Sequence, residues 1–346
     1  MKKGCICLFA LILLLAQAAL LHAAEVKNVQ SSQVGNRVQF TYDLTGEERE
    51  AEVTVNLTVP GGDSKTDDLH LEGDVGKVKP GRGKVIWWNV LQDFPRGLNS
   101  EIAWEITAGG QSFTDATTGM EFVFVKGGCY EMGDTFGGGS GDEKPIHNVC
   151  VSDFYMGKYE VTQRQWQAVM GSNPSKNTSW FGKTDNCPVE QVNWNDTQDF
   201  IVRLNEKTGK SYRLPTESEW EYAARSGGKK EKYAGMSNDS GLGDYAWYIA
   251  NSGSSTHSVG GKTSNGLGLY DMTGNGWEWC QDWYGEKYYG ESPRNNPRGP
   301  SSGQYRVLRG GSWDSNQEDV RTATRNWNAP VNRNSSVGFR LSLSAP

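Results

Sequence analysis

Residues 268–279 read Gly268-Leu269-Tyr270-Asp271-Met272-Thr273-Gly274-Asn275-Gly276-Trp277-Glu278-Trp279. Oxygen-bearing residues alternate between Asp271 and Glu278, both ends of that run are carboxylates, and the glycines leave backbone carbonyls free. Such a loop suits a hard cation such as calcium. The competing reading is a tight turn whose Glu278 pairs with an arginine. Outward from it, from about Thr118 on, the sequence is rich in Gly, Trp and Asn, and few segments keep a long period.

Three short helices stand out in this part, each opening with a capping box in which a side-chain oxygen and a Glu or Gln three residues on satisfy free backbone donors. Thr162 pairs with Gln165, Asn195 with Gln198 and Thr216 with Glu219. Apolar residues follow at helical spacing: Trp166, Val169 and Met170; Phe200, Ile201 and Leu204; Trp220, Ala223 and Ala224. Gly171 and Gly209 are natural stops. Residues 25 to about 112 read differently. Alternation at Val38, Phe40, Tyr42 and Leu44, at Val53, Val55, Leu57 and Val59, and at Ile102, Trp104 and Ile106 marks strands separated by turns such as Pro60-Gly61-Gly62-Asp63. No helix signal interrupts them, and a small immunoglobulin-like sandwich is expected. That domain offers no chemistry: His70 lies in a polar turn, and Trp87 and Trp88 read as sheet and core residues.

At 346 residues the chain is long enough for two domains. Lys2 and Lys3, an apolar run from Cys5 to Leu21, and His22-Ala23-Ala24 have the layout of a cleaved secretory signal. The domains expected are thus a signal over 1–24, a β-sandwich over 25–112 and a loop-rich domain over 118–344. Export places the protein in the periplasm, on the cell surface or outside the cell. No later apolar stretch approaches spanning length, so no transmembrane segment is expected after cleavage. The net charge of −6 becomes −8 without Lys2 and Lys3, which disfavours nucleic acid as a partner. In an oxidising compartment Cys129, Cys150, Cys187 and Cys280 read as disulfide cysteines, since no CxxC or HxxxH spacing competes. Four cysteines allow three connectivities. Cys129 and Cys150 flank a glycine-rich hairpin-like connection, so the expected bridges are Cys129–Cys150 and Cys187–Cys280.

Five motifs in order resemble the formylglycine-generating enzyme, or sulfatase-modifying factor, family: Phe154 to Thr162, Arg213 to Glu221, Gly268 to Trp279, Arg309-Gly310-Gly311-Ser312-Trp313, and Val337-Gly338-Phe339-Arg340. The resemblance implies an α+β, compact, loop-rich fold related to C-type lectins over roughly 118–344. It also implies that Asp271, Gly274, Gly276 and Glu278 align with a structural calcium site of the family. The family's other calcium site uses a longer acidic loop that Asn251 to Thr263 does not reproduce.

In the enzyme, two cysteines after the Gly-Gly-Ser motif bind copper(I) and oxidise a substrate cysteine to formylglycine. Here the matching positions are Ser315 and Val320, and no cysteine follows Cys280. A hydroxyl and an isopropyl group cannot replace soft thiolates, so copper is not expected. His70, His147 and His257 have no metal spacing, and His147 reads as structural. Similar relatives in ergothioneine synthesis carry an iron-binding helical domain where this chain has strands.

Between Trp313 and Val337 the sequence mixes aromatic anchors, Trp313 and Trp327, with Asp314, Asn316, Arg325, Asn328 and other short polar groups. That mixture suits a recognition surface, and it resembles the variable region of retroelement-diversified proteins with the same lectin-like fold. The alternative is that these residues only satisfy backbone in turns. Two functions remain open at this point. One is an exported, non-catalytic protein that binds protein or glycan through Trp313, Asp314, Asn316, Arg325, Trp327 and Asn328. The other is a formylglycine-generating type of oxidoreductase or a related oxygen-using enzyme.

Overall fold

The computed structural model describes residues 25–45, 51–58, 69–95, 103–109, 112–176 and 184–345. Residues 1–24, where a secretory signal is expected, Ile102, and Val59 with the turn at 60–63 lie outside those residues. The chain divides into two compact units, Met1–Ala108 and Gly109–Pro346.

In the first unit, one sheet runs in the order β1 (Glu25–Val34), β2 (Arg37–Thr45), β6 (Gly81–Asn89) and β4 (Leu71–Gly73). A second sheet runs β5 (Gly76–Val78), β3 (Ala51–Thr58) and β7 (Ala103–Gly109). The period-two pattern does what it should: Phe40, Tyr42 and Leu44 from β2, Val53 and Val55 from β3, and Ile86 and Trp88 from β6 share one apolar core. One feature departs from an all-strand reading, a single helical turn α1 (Val90–Asp93). Its Asp93 accepts from the Trp88 indole at 2.7 Å, from the His70 backbone N–H at 3.0 Å, and lies 2.5 Å from His70 Nδ1. Those tertiary bonds, and no periodicity, set the turn.

Among the described residues the second unit holds three sheets. The first runs β17 (Ser342–Ser344), β12 (Phe154–Gly157), β9 (Glu121–Val125) and β8 (Phe113–Thr114). The second is the pair β10 (Gly128–Met132) and β11 (His147–Val151), and the third runs β15 (Arg325–Asn328), β14 (Arg306–Arg309), β13 (Trp277–Trp283) and β16 (Val337–Gly338). Between and around them pack α2 (Gln163–Met170), α3 (Trp194–Thr208), α4 (Glu217–Ala224) and α5 (Leu242–Tyr245).

Two apolar clusters explain why so many strand residues are buried on both sides. Tyr155, Trp279 and Leu308 face a cluster shared with α2 and α3, where Trp166 stacks on Phe200 at 5.1 Å. Their strand neighbours Phe154, Met156, Cys280 and Val307 face a second cluster shared with Trp220, Ala223 and Ala224 of α4. Thr162 and Thr216 cap α2 and α4 with the expected boxes, and Gly171 and Gly209 end α2 and α3 in the left-handed region. The third box is displaced. Asn193 and Asp196, rather than Asn195 and Gln198, cap α3. An Asp at the third position closes the box as a Glu would, and Trp194, now the first helical residue, donates its indole N–H to the Cys280 carbonyl at 3.0 Å.

Cys129 and Cys150 are directly opposite in the β10–β11 register and form a disulfide. The expected Cys187–Cys280 bridge is not made, and both thiols are buried and free. Cys280 faces the α4 cluster from mid-strand. Cys187 lies in a turn whose carbonyl accepts from the Gln163 N–H of α2, and it is not among the residues of the cluster that Cys280 faces. Burial pushes both thiols up from their ordinary value.

Candidate functional site

The Gly268–Trp279 loop sits at the centre of the second unit and turns tightly, with Asp271, Gly274 and Asn275 all at positive φ. A side chain at Gly274 would meet the Trp247 carbonyl oxygen at 2.1 Å, so only glycine fits there. The loop fastens the Arg309–Trp313 motif, because Gly274 N–H donates to the Gly310 carbonyl at 2.8 Å and Trp313 N–H donates to the Asn275 carbonyl at 3.0 Å.

Glu278 is fully committed. Arg340 clasps it with Nε at 2.7 Å and Nη2 at 2.6 Å, and the Trp220 indole N–H adds a third bond at 2.7 Å. The arginine pairing weighed against a cation ligand at Glu278 is therefore the one observed. Asp271 is different: Oδ2 accepts from Gly260 N–H at 2.7 Å, while Oδ1 is buried without a hydrogen-bond partner. Glu160 matches it, with Oε2 bonded by Asn275 Nδ2 at 2.6 Å and Oε1 buried and unpartnered. Burial pushes Asp271 up to about 6. Burial, followed by the neighbouring charges of Asp271 and Glu278, pushes Glu160 well above the carboxylate range.

Three buried carboxylates thus face one guanidinium. Two open oxygens and an excess of negative charge suit a hard cation better than a dry interior does. The open oxygens belong to Asp271 and Glu160, whereas Glu278, which the resemblance set among the ligands, is taken by Arg340 and Trp220. Gly276 belongs to it sterically, since a Cβ there would come within 2.9 Å of Glu160 Oε1. Among the described residues no three carboxylate, imidazole or thiol groups form an ion site by themselves, so backbone oxygens of the loop would have to complete this one. No sequence rule reached Glu160, because it lies 111 residues before Asp271 in a motif that reads as a strand exit.

Ser315 and Val320, which the resemblance sets at the positions of the family's two cysteines, are both held by the scaffold. Ser315 Oγ accepts from Ser312 N–H at 3.0 Å and lies 3.1 Å from Ser312 Oγ, whose hydroxyl bonds Asp314 at 2.5 Å. Val320 is completely buried in an apolar cluster with Tyr233, Leu242 and Ala246. Gly311, at φ +74°, approaches so closely that a Cβ would meet Val320 Cγ1 at 2.5 Å.

Five of the six expected ligand-binding residues reach the surface in whole or part. Trp313 is half-buried with its indole donating to Ser335 at 3.2 Å, Asp314 and Asn316 are exposed, and Asn328 is half-buried with its Oδ1 accepting from Ala329 and Asn332. Trp327 is 45% exposed. Arg325 is the exception: it is buried and bidentate to Glu217 of α4, at 2.6 and 2.8 Å, and donates to the Asp142 carbonyl. It is a structural cation, on the same face of β15 as Trp327 two residues on, and its ion pair with Glu217 holds it buried while Trp327 stays open. Burial acts to raise Glu217, but Arg325 and Arg309 outweigh it and hold the carboxyl below its ordinary value. Two rings that the sequence did not single out join Trp327: Tyr305 at 4.2 Å and Tyr284 at 5.9 Å between centroids.

A loop-rich α+β domain with short sheets around an arginine-clasped Gly-Asn-Gly-Trp-Glu turn is a formylglycine-generating-enzyme-like, C-type-lectin-like fold. The chain belongs to the sulfatase-modifying factor enzyme 1-like domain family, which matches residues 108–345. It is 32% identical over 247 residues to the chaperone protein LppX of Paenibacillus barcinonensis, covering 58% of this chain and 81% of that one. It is equally 32% identical over 285 residues to the formylglycine-generating enzyme of Streptomyces coelicolor, covering 64% and 89%. The chlamydial serine/threonine-protein kinases that it resembles are longer, and the chain spans 37% to 38% of their length. Among solved structures, Treponema denticola variable protein 1 superposes with a TM-score of 0.62 at 32% identity, covering 68% of this chain and 98% of that one. Among the described residues no helix is long and apolar enough to cross a membrane.

Proposed function

We propose that this protein is an exported, non-catalytic member of the family that recognises protein or glycan through the segment from Trp313 to Asn334. The observation that carries this reading is the fate of positions 315 and 320. One is a hydroxyl bonded to its own turn and the other an apolar group sealed in a core cluster. Neither offers a soft donor for copper(I). Cys187 and Cys280 are poor substitutes, because both are buried and burial raises their thiols, which disfavours the thiolates that copper(I) needs. Exposed Trp327, Asp314 and Asn316 supply the aromatic and hydrogen-bonding groups a recognition surface uses. A structural calcium ion is part of the proposal, held by Asp271 and Glu160 with backbone oxygens around Gly274 and Gly276. Its role would be to balance buried charge.

The identity to formylglycine-generating enzymes supports the second reading, oxidation of a protein cysteine. Copper(I) titration of the purified protein with a cysteine-containing sulfatase peptide separates the two. We expect no stoichiometric copper and no aldehyde product. Aldehyde formation with metal bound near Ser315 would make the protein an oxidase. Joint substitution of Trp313, Asn316 and Trp327 by alanine tests the surface, and a partner that binds the triple variant unchanged would refute it.

A further inference from the structure

Trp327 is the only exposed tryptophan among the described residues, and its setting is specific. It projects from β15, paired with Val307 of β14, so a strand and not a loop sets its orientation. Tyr305 lies against it with the ring planes 44° apart, and Tyr284 follows at 36°. Tyr284 is held in place, its hydroxyl donating to Asp142 at 2.9 Å and its ring 5.0 Å from the Arg325 guanidinium.

We infer that Trp327, Tyr305 and Tyr284 form a binding platform for the pyranose rings of a neutral oligosaccharide, an inference that rests on the recognition reading above and chooses between its two partner classes. Charge is the first argument. The nearby cations are internally consumed, Arg325 by Glu217 and Arg306 by the rings of Trp194 and Trp283, 3.7 and 3.5 Å away. Neither cation is left to attract an anion, and an uncharged ligand avoids the cost of burying an unpaired charge.

Shape is the second argument. Protein hot spots sit in fully desolvated pockets, whereas Trp327 lies open on a strand with inclined rings beside it. Inclined aromatic faces receive the C–H faces of successive sugar rings. Hydroxyl groups then need donors and acceptors at the ring edges. Asn326, next to Trp327 on β15, accepts the Trp327 N–H on its carboxamide oxygen at 2.8 Å and keeps an N–H2 group as a donor near the strand edge. Because strand pairing fixes Trp327, and the bond from Tyr284 N–H to the Tyr305 carbonyl at 2.8 Å ties the other two rings beside it, little ordering entropy is lost on binding.

The test is a titration of the full chain, followed by tryptophan fluorescence and calorimetry, with linear neutral oligosaccharides of glucose, mannose and N-acetylglucosamine up to about 10 mM, the range in which weak single-site recognition is measured. Saturable binding of at least one, weakened about tenfold or more by Trp327→Ala and largely retained by Trp327→Tyr, is expected for an aromatic anchor. Unchanged thermal unfolding of Trp327→Ala confirms that the loss is one of contact. Absence of binding to all three sugars, or binding that survives Trp327→Ala, overturns the inference. If a protein partner is instead found whose binding Trp327→Ala abolishes, the sugar is wrong and the recognition surface stands. If no binding of any kind depends on Trp313, Asn316 or Trp327, both fall.

Discussion

The Gly268–Trp279 loop and the Trp313–Asn334 segment draw on the same residue types, Trp, Asn, Gly and carboxylates, and use them in opposite ways. In the loop nearly every polar group is spent on the scaffold: Asn275 bonds Glu160, His257 and Trp313, and Glu278 takes a forked arginine and an indole. Along the surface segment Asp314, Asn316 and Trp327 stay open to solvent. The residues by which the family is known are therefore mostly architecture. The proposed recognition draws on what the architecture leaves unspent.

This contrast can be broken by substitution, and the largest effect belongs inside. Arg340→Met leaves Glu278 buried without its partner and should cost roughly 3–5 kcal/mol in denaturant unfolding. A loss below about 1 kcal/mol, the range of exposed pairs, would mean the clasp is not a scaffold element. Chelation comes next. If calcium occupies the Asp271–Glu160 site, its removal from a solution at about a hundred times Kd should cost about 2.7 kcal/mol, seen as a lower Tm. Glu160→Gln with Asp271→Asn should remove that sensitivity. A wild-type Tm indifferent to chelator would sink the ion.

Smaller still is the cap of α4, where Thr216→Ala should lower stability by about 1 kcal/mol. Asp115 gives a pH test. Burial alone would raise its carboxyl, but bonds from Tyr212, Thr118 and Thr117 outweigh it and hold it below the ordinary value. Its contribution is present above the unfolded carboxylate value of about 3.9 and is lost as pH falls through the lower folded one. The stability gap between wild type and Asp115→Asn should therefore shrink in melts taken from pH 6 towards pH 3. The smallest change is expected outside: Trp327→Ala should move unfolding by no more than about 0.5 kcal/mol while binding fails.

Local chemistry was the legible part. The boxes at Thr162 and Thr216, the glycine stops at 171 and 209, the alternation of Phe40, Tyr42 and Leu44, and the hairpin disulfide all rest on neighbours in sequence. What sequence hid depends on distant partners. Asn193 outcompetes Asn195 as a cap because Trp194 finds the Cys280 carbonyl. Cys187 and Cys280 look like a leftover pair until the central sheet separates their environments. Arg325 looks like a surface group until Glu217, 108 residues earlier, takes it inside. Tyr284 and Tyr305 gain meaning only through the strand that brings Trp327 to them.

The bond between Cys129 and Cys150 has a mechanical consequence beyond its own hairpin. It closes a 21-residue separation, which in chain-entropy terms removes about 3 kcal/mol of freedom from the unfolded state. The loop it closes reaches to Glu143, which grips Arg321 with two bonds, and to Asp142, which steadies Tyr284 and Arg325. That arm is cross-linked at its shoulder and ion-paired at its hand. An oxidising environment would therefore stiffen the ground beneath the exposed rings without touching them.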